Sequence, residues 1–274
     1  YMKKIGILFL GLISAFSFSQ NTRFVYQVSM KTDSTAAPKI ENAYLDISTE
    51  KSIFYGEKRM KRDSTIRQAM ETRNFNFDRN SMEQFRTAIT YSIEKNHATK
   101  TISYKDRIAR DQYWYDEDRT FNWKILPETV KIGEYETQKA ETTFAGRKWL
   151  AWFTQDLPFI DGPYKFSGLP GLIVKVEDEK GDYSFDLKET KKIAELPNFE
   201  SRFGNNIKVK RSEFLKQQEK FNKDPMSFFQ NQGGGFAMRM GGNQNPQNEA
   251  ERRKMMEERL KEEAKANNNP LEKN

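Results

Sequence analysis

The sequence predicts a mainly β fold: a curved antiparallel sheet or half-barrel, followed by a helical, partly disordered C-terminal extension. Three observations carry this expectation. Between residues 23 and 192, short segments of alternating apolar residues are separated by polar turns, with no long helical pattern among them. A turn-rich block at 161–171 runs directly into the β-branched segment Leu172-Ile173-Val174-Lys175-Val176. Beyond Pro197 the composition turns charged, then rich in Gln, Asn, Gly and Met.

In chain order, the first element is a leader. Met2-Lys3-Lys4 and the apolar run 5–18 have the charged and apolar regions of a secretory signal peptide, with Ser17 and Ser19 at −3 and −1 for cleavage before Gln20. The run is shorter than the ~20 residues a spanning helix needs, so no membrane span is expected after cleavage. The mature chain is expected to be periplasmic or secreted. The absence of cysteine removes disulfides, thiolate metal sites and a lipid anchor through cysteine. The expected organisation is a leader at 2–20, a β-rich domain at 21–197, a helical extension at 198–229, a low-complexity linker at 230–248, and a charged helix and tail at 249–274.

Within the β-rich part, Phe24, Tyr26, Val28 and Met30 alternate, as do Ala43, Leu45 and Ile47, so each set shares one face of a strand. Further strands are expected at 52–55, 88–93, 101–104, 112–115, 121–125, 134–142, 148–153, 172–176 and 183–187. About eleven strands in close succession argue for an antiparallel meander closing into a half-barrel. Residues 59–73 are polar and read as a helix or a solvated loop. Further on, Phe214, Leu215, Gln218 and Phe221 fall at helical spacing and could dock on the sheet. Residues 249–266 read as a charged helix with Glu257 and Glu258 spaced to pair with Lys261. With so little apolar surface, 230–274 is expected to be removable without unfolding the β domain.

The hexapeptide Gly168-Leu169-Pro170-Gly171-Leu172-Ile173 is the most specific local signal. Pro170 presets φ for the second position of a turn, and Gly171 can take the positive φ that a type II turn needs next. Together with Gly146-Arg147-Lys148-Trp149, Ala151-Trp152-Phe153-Thr154 and Asp161-Gly162-Pro163-Tyr164, it resembles the GLPGLI family of secreted Bacteroidetes proteins. The resemblance is strongest over 123–185 and fades after about residue 200. Members of that family are often encoded near TonB-dependent outer-membrane receptors, which implies an envelope role and an outer-membrane receptor or other envelope protein as partner. Many members carry a cysteine where this chain has Thr137, so any disulfide of theirs is absent here.

Aromatic residues are the strongest hint of binding. Trp114, Trp123, Trp149 and Trp152 all fall in the sheet region, where aromatics on a concave face would line a cavity for an apolar or peptide ligand; core packing explains the same rings. Arg147 has the fork geometry to hold a carboxylate or phosphate, or to be pinned to Asp156 or a carbonyl at the corner. Asp116, Glu117, Asp118, Asp156 and Asp161 offer the carboxylates a secreted hydrolase would need, although acids at turns are usually solvated and nothing local fixes their separation. His97, the single histidine, reads as a solvated hairpin residue. Met238 and Met240, in a glycine-rich stretch, would suit Cu(I). No cofactor is expected. A formal charge of +7 with 39 acidic residues interspersed does not read as a nucleic-acid footprint. The expected function is a non-enzymatic periplasmic binding or accessory protein, with a hydrolase or a Cu(I)-binding protein as alternatives.

Overall fold

The computed structural model describes residues 21–74, 84–199, 204–230 and 246–273. The leader and the Met238/Met240 segment lie outside these residues. Among them runs one twelve-stranded sheet, in the order β12-β6-β5-β4-β3-β2-β1-β11-β10-β9-β8-β7. Its first half is β1 (Asn21–Met30), β2 (Lys39–Ile47), β3 (Lys51–Gly56), β4 (Ser92–Asn96), β5 (Ile102–Ile108) and β6 (Asp111–Asp116). Its second half is β7 (Lys124–Ile132), β8 (Tyr135–Phe144), β9 (Arg147–Thr154), β10 (Leu172–Asp178) and β11 (Tyr183–Ile193). Each half is a meander of neighbouring antiparallel strands, and the two meet only where β1 pairs antiparallel with β11. β12 (Asn206–Lys208) adds in parallel to β6. β7 and β12 are the two edges, so the sheet is curved but open.

Alternation predicts the buried face correctly. Phe24, Tyr26 and Val28 on β1, Ala43 and Leu45 on β2, and Phe185 on β11 are fully buried in one apolar core. Full burial of a side chain of this size is worth roughly 1.5 to 3 kcal/mol. Two strands start later than the sequence suggests. β4 begins at Ser92 because Glu41 accepts hydrogen bonds from Thr87 and the Ala88 amide, tying 87–88 to β2 outside the ladder. β7 begins at Lys124 because Phe121 and Trp123 turn inward against Phe144 and Phe166.

The interior is filled by the chain itself. The connection between β9 and β10, residues 155–171, crosses the concave face and places Tyr164, Phe166 and Leu169 in the core. Phe166 packs edge-on to Trp149 and Phe185 at centroid distances of 4.8 and 6.2 Å. Asp161 fixes this plug. Its carboxylate accepts Lys95 Nζ and Ser52 Oγ, both at 2.5 Å, while Lys95 also donates to the Gly162 and Phe166 carbonyls. Asp161 does initiate the turn, through its bond from the Gly162 amide, yet it is 4% exposed where a solvated acid was expected. The plug ends at Gly171, whose φ is +147° and whose Cβ, if present, would lie 2.0 Å from the Thr154 carbonyl oxygen.

Four helices complete the described chain: α1 (Glu57–Thr72), α2 (Arg211–Lys223), α3 (Pro225–Gln230) and α4 (Pro246–Lys265). Residues 59–73 are therefore helical for most of their length. As expected, Phe214 of α2 is buried against Tyr104 and Tyr115 of the sheet, with Leu215 and Phe221 packed beside it. α4 is polar along its length, and Glu257 pairs with Lys261 at 2.6 Å.

Candidate functional site, a clasp at the mouth of the half-barrel

After α4, residues 268–273 leave the helical extension and lie in the mouth of the curved sheet. What receives them is the β8–β9 hairpin and the plug. The hairpin turns through Ala145 and Gly146, both at positive φ, which is the I′ arrangement that joins twisted strands through two residues. Glycine is required at the second position for a further reason. A Cβ on Gly146 would stand 2.8 Å from the Lys273 Cβ, so the absent side chain is the space the tail occupies. The Lys273 amide then donates to the Ala145 carbonyl at 2.8 Å, and the Asn269 amide donates to the Thr32 carbonyl beyond β1 at 2.8 Å.

Arg147, the next residue of the turn, reads the tail directly. Its Nε donates to the Leu271 carbonyl (3.0 Å), and its Nη2 to the Asn269 side-chain oxygen (2.7 Å) and the Pro270 carbonyl (2.8 Å). Its Nη1 is held by Asp178 (2.7 Å) and Asp182 (3.2 Å), from the turn between β10 and β11. The fork is thus aimed by two carboxylates at the β10–β11 turn and spends its remaining donors on the tail. Tyr183 stacks under the guanidinium, 4.7 Å from its centroid, and donates its hydroxyl to the Asn269 carbonyl. Asp156 is exposed and takes no part.

A second anchor lies one turn further along. Lys165, in the plug, is fully buried and bonds Glu117 and Glu272, both at 2.6 Å, and the Tyr115 hydroxyl at 3.0 Å. The rings of Tyr104, Tyr115 and Tyr164 stand 5.0, 5.1 and 5.4 Å from its ammonium. Glu272 also accepts from Tyr164, Arg119 and Arg211. Burial alone would push the Glu272 carboxyl up; the charge and hydrogen bond of Lys165, with Tyr164 and Arg119, instead hold it down at about 2. Burial opposes the Lys165 charge too, but Glu272 and its other neighbours leave its pKa raised. Leu271, between the two anchors, packs on the main core. The result is a peptide-recognition site with backbone readers, an apolar seat and an acid seat, filled in cis by Asn268-Asn269-Pro270-Leu271-Glu272-Lys273.

Of the tryptophans expected to line a ligand cavity, Trp123 and Trp149 meet on Phe166 inside the packed core, while Trp114 and Trp152 lie apart from them. Trp149 is fully buried and donates to the Phe144 carbonyl; Trp123 donates to the Ser167 carbonyl. Trp114, on β6, lies under Lys208 at 4.4 Å. Trp152, on β9, lines a shallow outer cleft of about 420 Å³ with Thr129, Val130, Ile132, Lys139 and Lys175. The carboxylates are likewise dispersed. Asp116 pairs with Lys208, Glu117 with Arg119 and Lys165, and Asp161 with Lys95, whereas Asp118 and Asp156 are exposed. His97 sits in the β4–β5 turn as expected, with Nε2 3.9 Å from Asp161. Its pKa is raised by that carboxylate against a smaller effect of burial. Among the described residues no group of three or more His, Cys, Asp or Glu is placed to hold a metal, and no helix is long and apolar enough to cross a membrane.

Lys165, Arg119, Tyr183 and the tail residues escape sequence reasoning, because a buried lysine and a solvated one look alike in a sequence, and Glu117 is visible there only as one of a run of acids. Pro270-Leu271-Glu272 after a helix end was the available signal.

A family profile described as "Protein of unknown function (Porph_ging)" matches residues 142–175, the span holding Gly146, Arg147, the plug and Gly171. No curated protein matches the chain. Among solved structures, PNGF-II in space group P21 aligns with a TM-score of 0.51 at 19% identity, over 72% of this chain and 33% of that one. PNGF-II in space group C2 gives 0.50 at 17%, over 72% and 32%. This chain therefore shares a fold with a part of PNGF-II and spans about a third of its length. The LolA superfamily protein NE2245 from Nitrosomonas europaea aligns with a TM-score of 0.27 at 11% identity, over 65% of this chain and 88% of that one, too slight a likeness to bear on function.

Proposed function

We propose that this chain is a non-enzymatic binding or accessory protein of the GLPGLI type, exported to the periplasm or beyond, that holds an extended acidic peptide beside an outer-membrane transport or biogenesis system. One observation carries the reading. Arg147 and Lys165, cations of the β domain, converge on a six-residue segment whose backbone and carboxylate they recognise from more than a hundred residues away. That is how a binding module treats a peptide. The packed plug argues against a lipid carrier, since Phe166, Tyr164 and Leu169 occupy the buried face where an acyl chain would otherwise lie. The leader at 2–20 and the family resemblance support export. Fractionation of cells should find the chain in the envelope or medium with Gln20 or Asn21 at its N-terminus, and the folded protein should leave a lipid-like fluorescent probe unbound. Retention of Met2 in the exported protein, or stoichiometric uptake of the probe, would overturn the proposal.

A further inference from the structure

Resting on that reading, we infer that the clasp is an exchangeable site: the cis tail is a placeholder for a partner protein's extended segment that presents an apolar residue followed by an acid, after an Asn-Pro turn. Three features of the site lead there. The first is that the cradle is assembled without the tail. Arg147 keeps Asp178 and Asp182, Lys165 keeps Glu117 and the Tyr115 hydroxyl, and Arg119 keeps both of its bonds to Glu117. When the tail leaves, those cations stay aimed, and the Tyr164 and Tyr183 hydroxyls with Arg147 Nε and Nη2 become available to another chain.

The second feature is charge. Without Glu272, the inner anchor holds Lys165 and Arg119 against the single carboxylate of Glu117, with Arg211 beside them. This excess of positive charge in a largely buried, tyrosine-lined setting selects an anion of the reach of a glutamate side chain. The third is how the tail is attached. Its seat is six residues long, and the helix before it, α4, packs chiefly on α2 and α3. Release therefore gives up the contacts of one short segment and leaves the sheet ladder whole. Since the tail is tethered, it competes at an effective concentration that a free peptide would have to match. A partner in trans gains the site by offering a better acid and apolar pair, or by holding a second contact elsewhere.

The test uses the full chain and a fluorescent peptide of the sequence Asn-Asn-Asn-Pro-Leu-Glu-Lys. Against the wild type the peptide should bind weakly, and against the Glu272→Lys chain, whose own tail is repelled by Lys165 and Arg119, at least tenfold more tightly. A peptide with Gln in place of its Glu should lose tenfold or more of that affinity. Hydrogen exchange on the wild type supplies a measurement that needs no variant. The Asn269 and Lys273 amides should exchange at least a hundredfold faster than those of β1 and β11. Exchange of the tail only through global unfolding would show a permanent structural tie and overturn the inference, as would a folded Glu272→Lys chain that ignores the peptide. So would peptide binding indifferent to the Glu, or a wild type that pairs through exchanged tails into dimers. Each of these outcomes leaves export and the absence of lipid uptake, which test the function itself, untouched.

Discussion

Arg147 is surrounded by oxygens on every side of its guanidinium, and its side chain is 2% exposed. Replacing it by Met would leave Asp178 buried beside no cation, a loss of about 3 to 5 kcal/mol. Arg147→Lys should recover little, because an ammonium cannot serve two carboxylates and three tail oxygens from one plane. Thermal melts of both variants check this, with a drop of roughly 2 to 4 °C for each kcal/mol in a chain of this size. Glu272 gives a pH signature. Its carboxyl titrates at about 2 in the folded chain against 4.5 when free, so it binds a proton less readily when docked. Its contribution to stability is therefore complete above pH 4.5 and drains away as pH falls from there toward 2. The stability difference between wild type and Glu272→Gln should be constant at neutral pH and shrink across that window. Gly171 is the backbone counterpart: Gly171→Val meets the Thr154 carbonyl as well as an unfavourable φ, and should cost roughly 2 to 4 kcal/mol by chemical denaturation.

At the scale of elements, the plug and the tail behave oppositely. The plug is tied by Asp161 and runs into Leu172 and Ile173 of β10, both fully buried, so Leu172→Ala should cost about 2 to 5 kcal/mol. The tail is held at its far end, by the polar contacts of 268–273 and by Leu271 against the core. A chain ending at Gln230 should still melt cooperatively, but at a midpoint lowered by the loss of about 1 to 3 kcal/mol of hydrogen bonding; a midpoint equal to that of the full chain would show the clasp contributes nothing. The strands were legible because alternation is a local property: Phe24, Tyr26, Val28 and Met30 announce their face without reference to a partner. The turns at Asp161-Gly162-Pro163 and Pro170-Gly171 were legible for the same reason, although at the second the Gly171 amide bonds the Leu169 carbonyl, at φ +147°, in a tighter turn than the type II expected. What was hidden depends on distance along the chain. Nothing near Arg147 indicates that its partners lie at 269–271, and nothing in 155–171 has a period that would betray a segment folded against the buried face of the sheet. Glu117 illustrates the limit, for it reads as one of a run of acids and turns out to be the buried counter-ion of Lys165.

For the whole molecule, the sheet is two meanders joined at one seam. Six strands run outward from β1 and five from β11, every pairing within a meander being between sequence neighbours. Within the sheet, the seam brings together residues as far apart as Thr22 and Lys192, separated by 170 positions. Bringing such ends together costs on the order of 4 to 5 kcal/mol in chain entropy before any contact offsets it. Folding speed should therefore be set at the seam. Local hairpins on both sides can form and dissolve quickly, and the barrier is crossed when β1 finds β11. Tyr26→Phe or Phe185→Leu should slow refolding in stopped-flow experiments, whereas Arg147→Lys, which acts on a segment that closes afterwards, should leave refolding nearly unchanged and hasten unfolding. In a chain that emerges from its N-terminus, β1 would be paired with β2 alone until the eleventh strand had arrived. Throughout that interval β1, apolar on one face and open along the edge that β11 later covers, is the part of the molecule most in need of a chaperone.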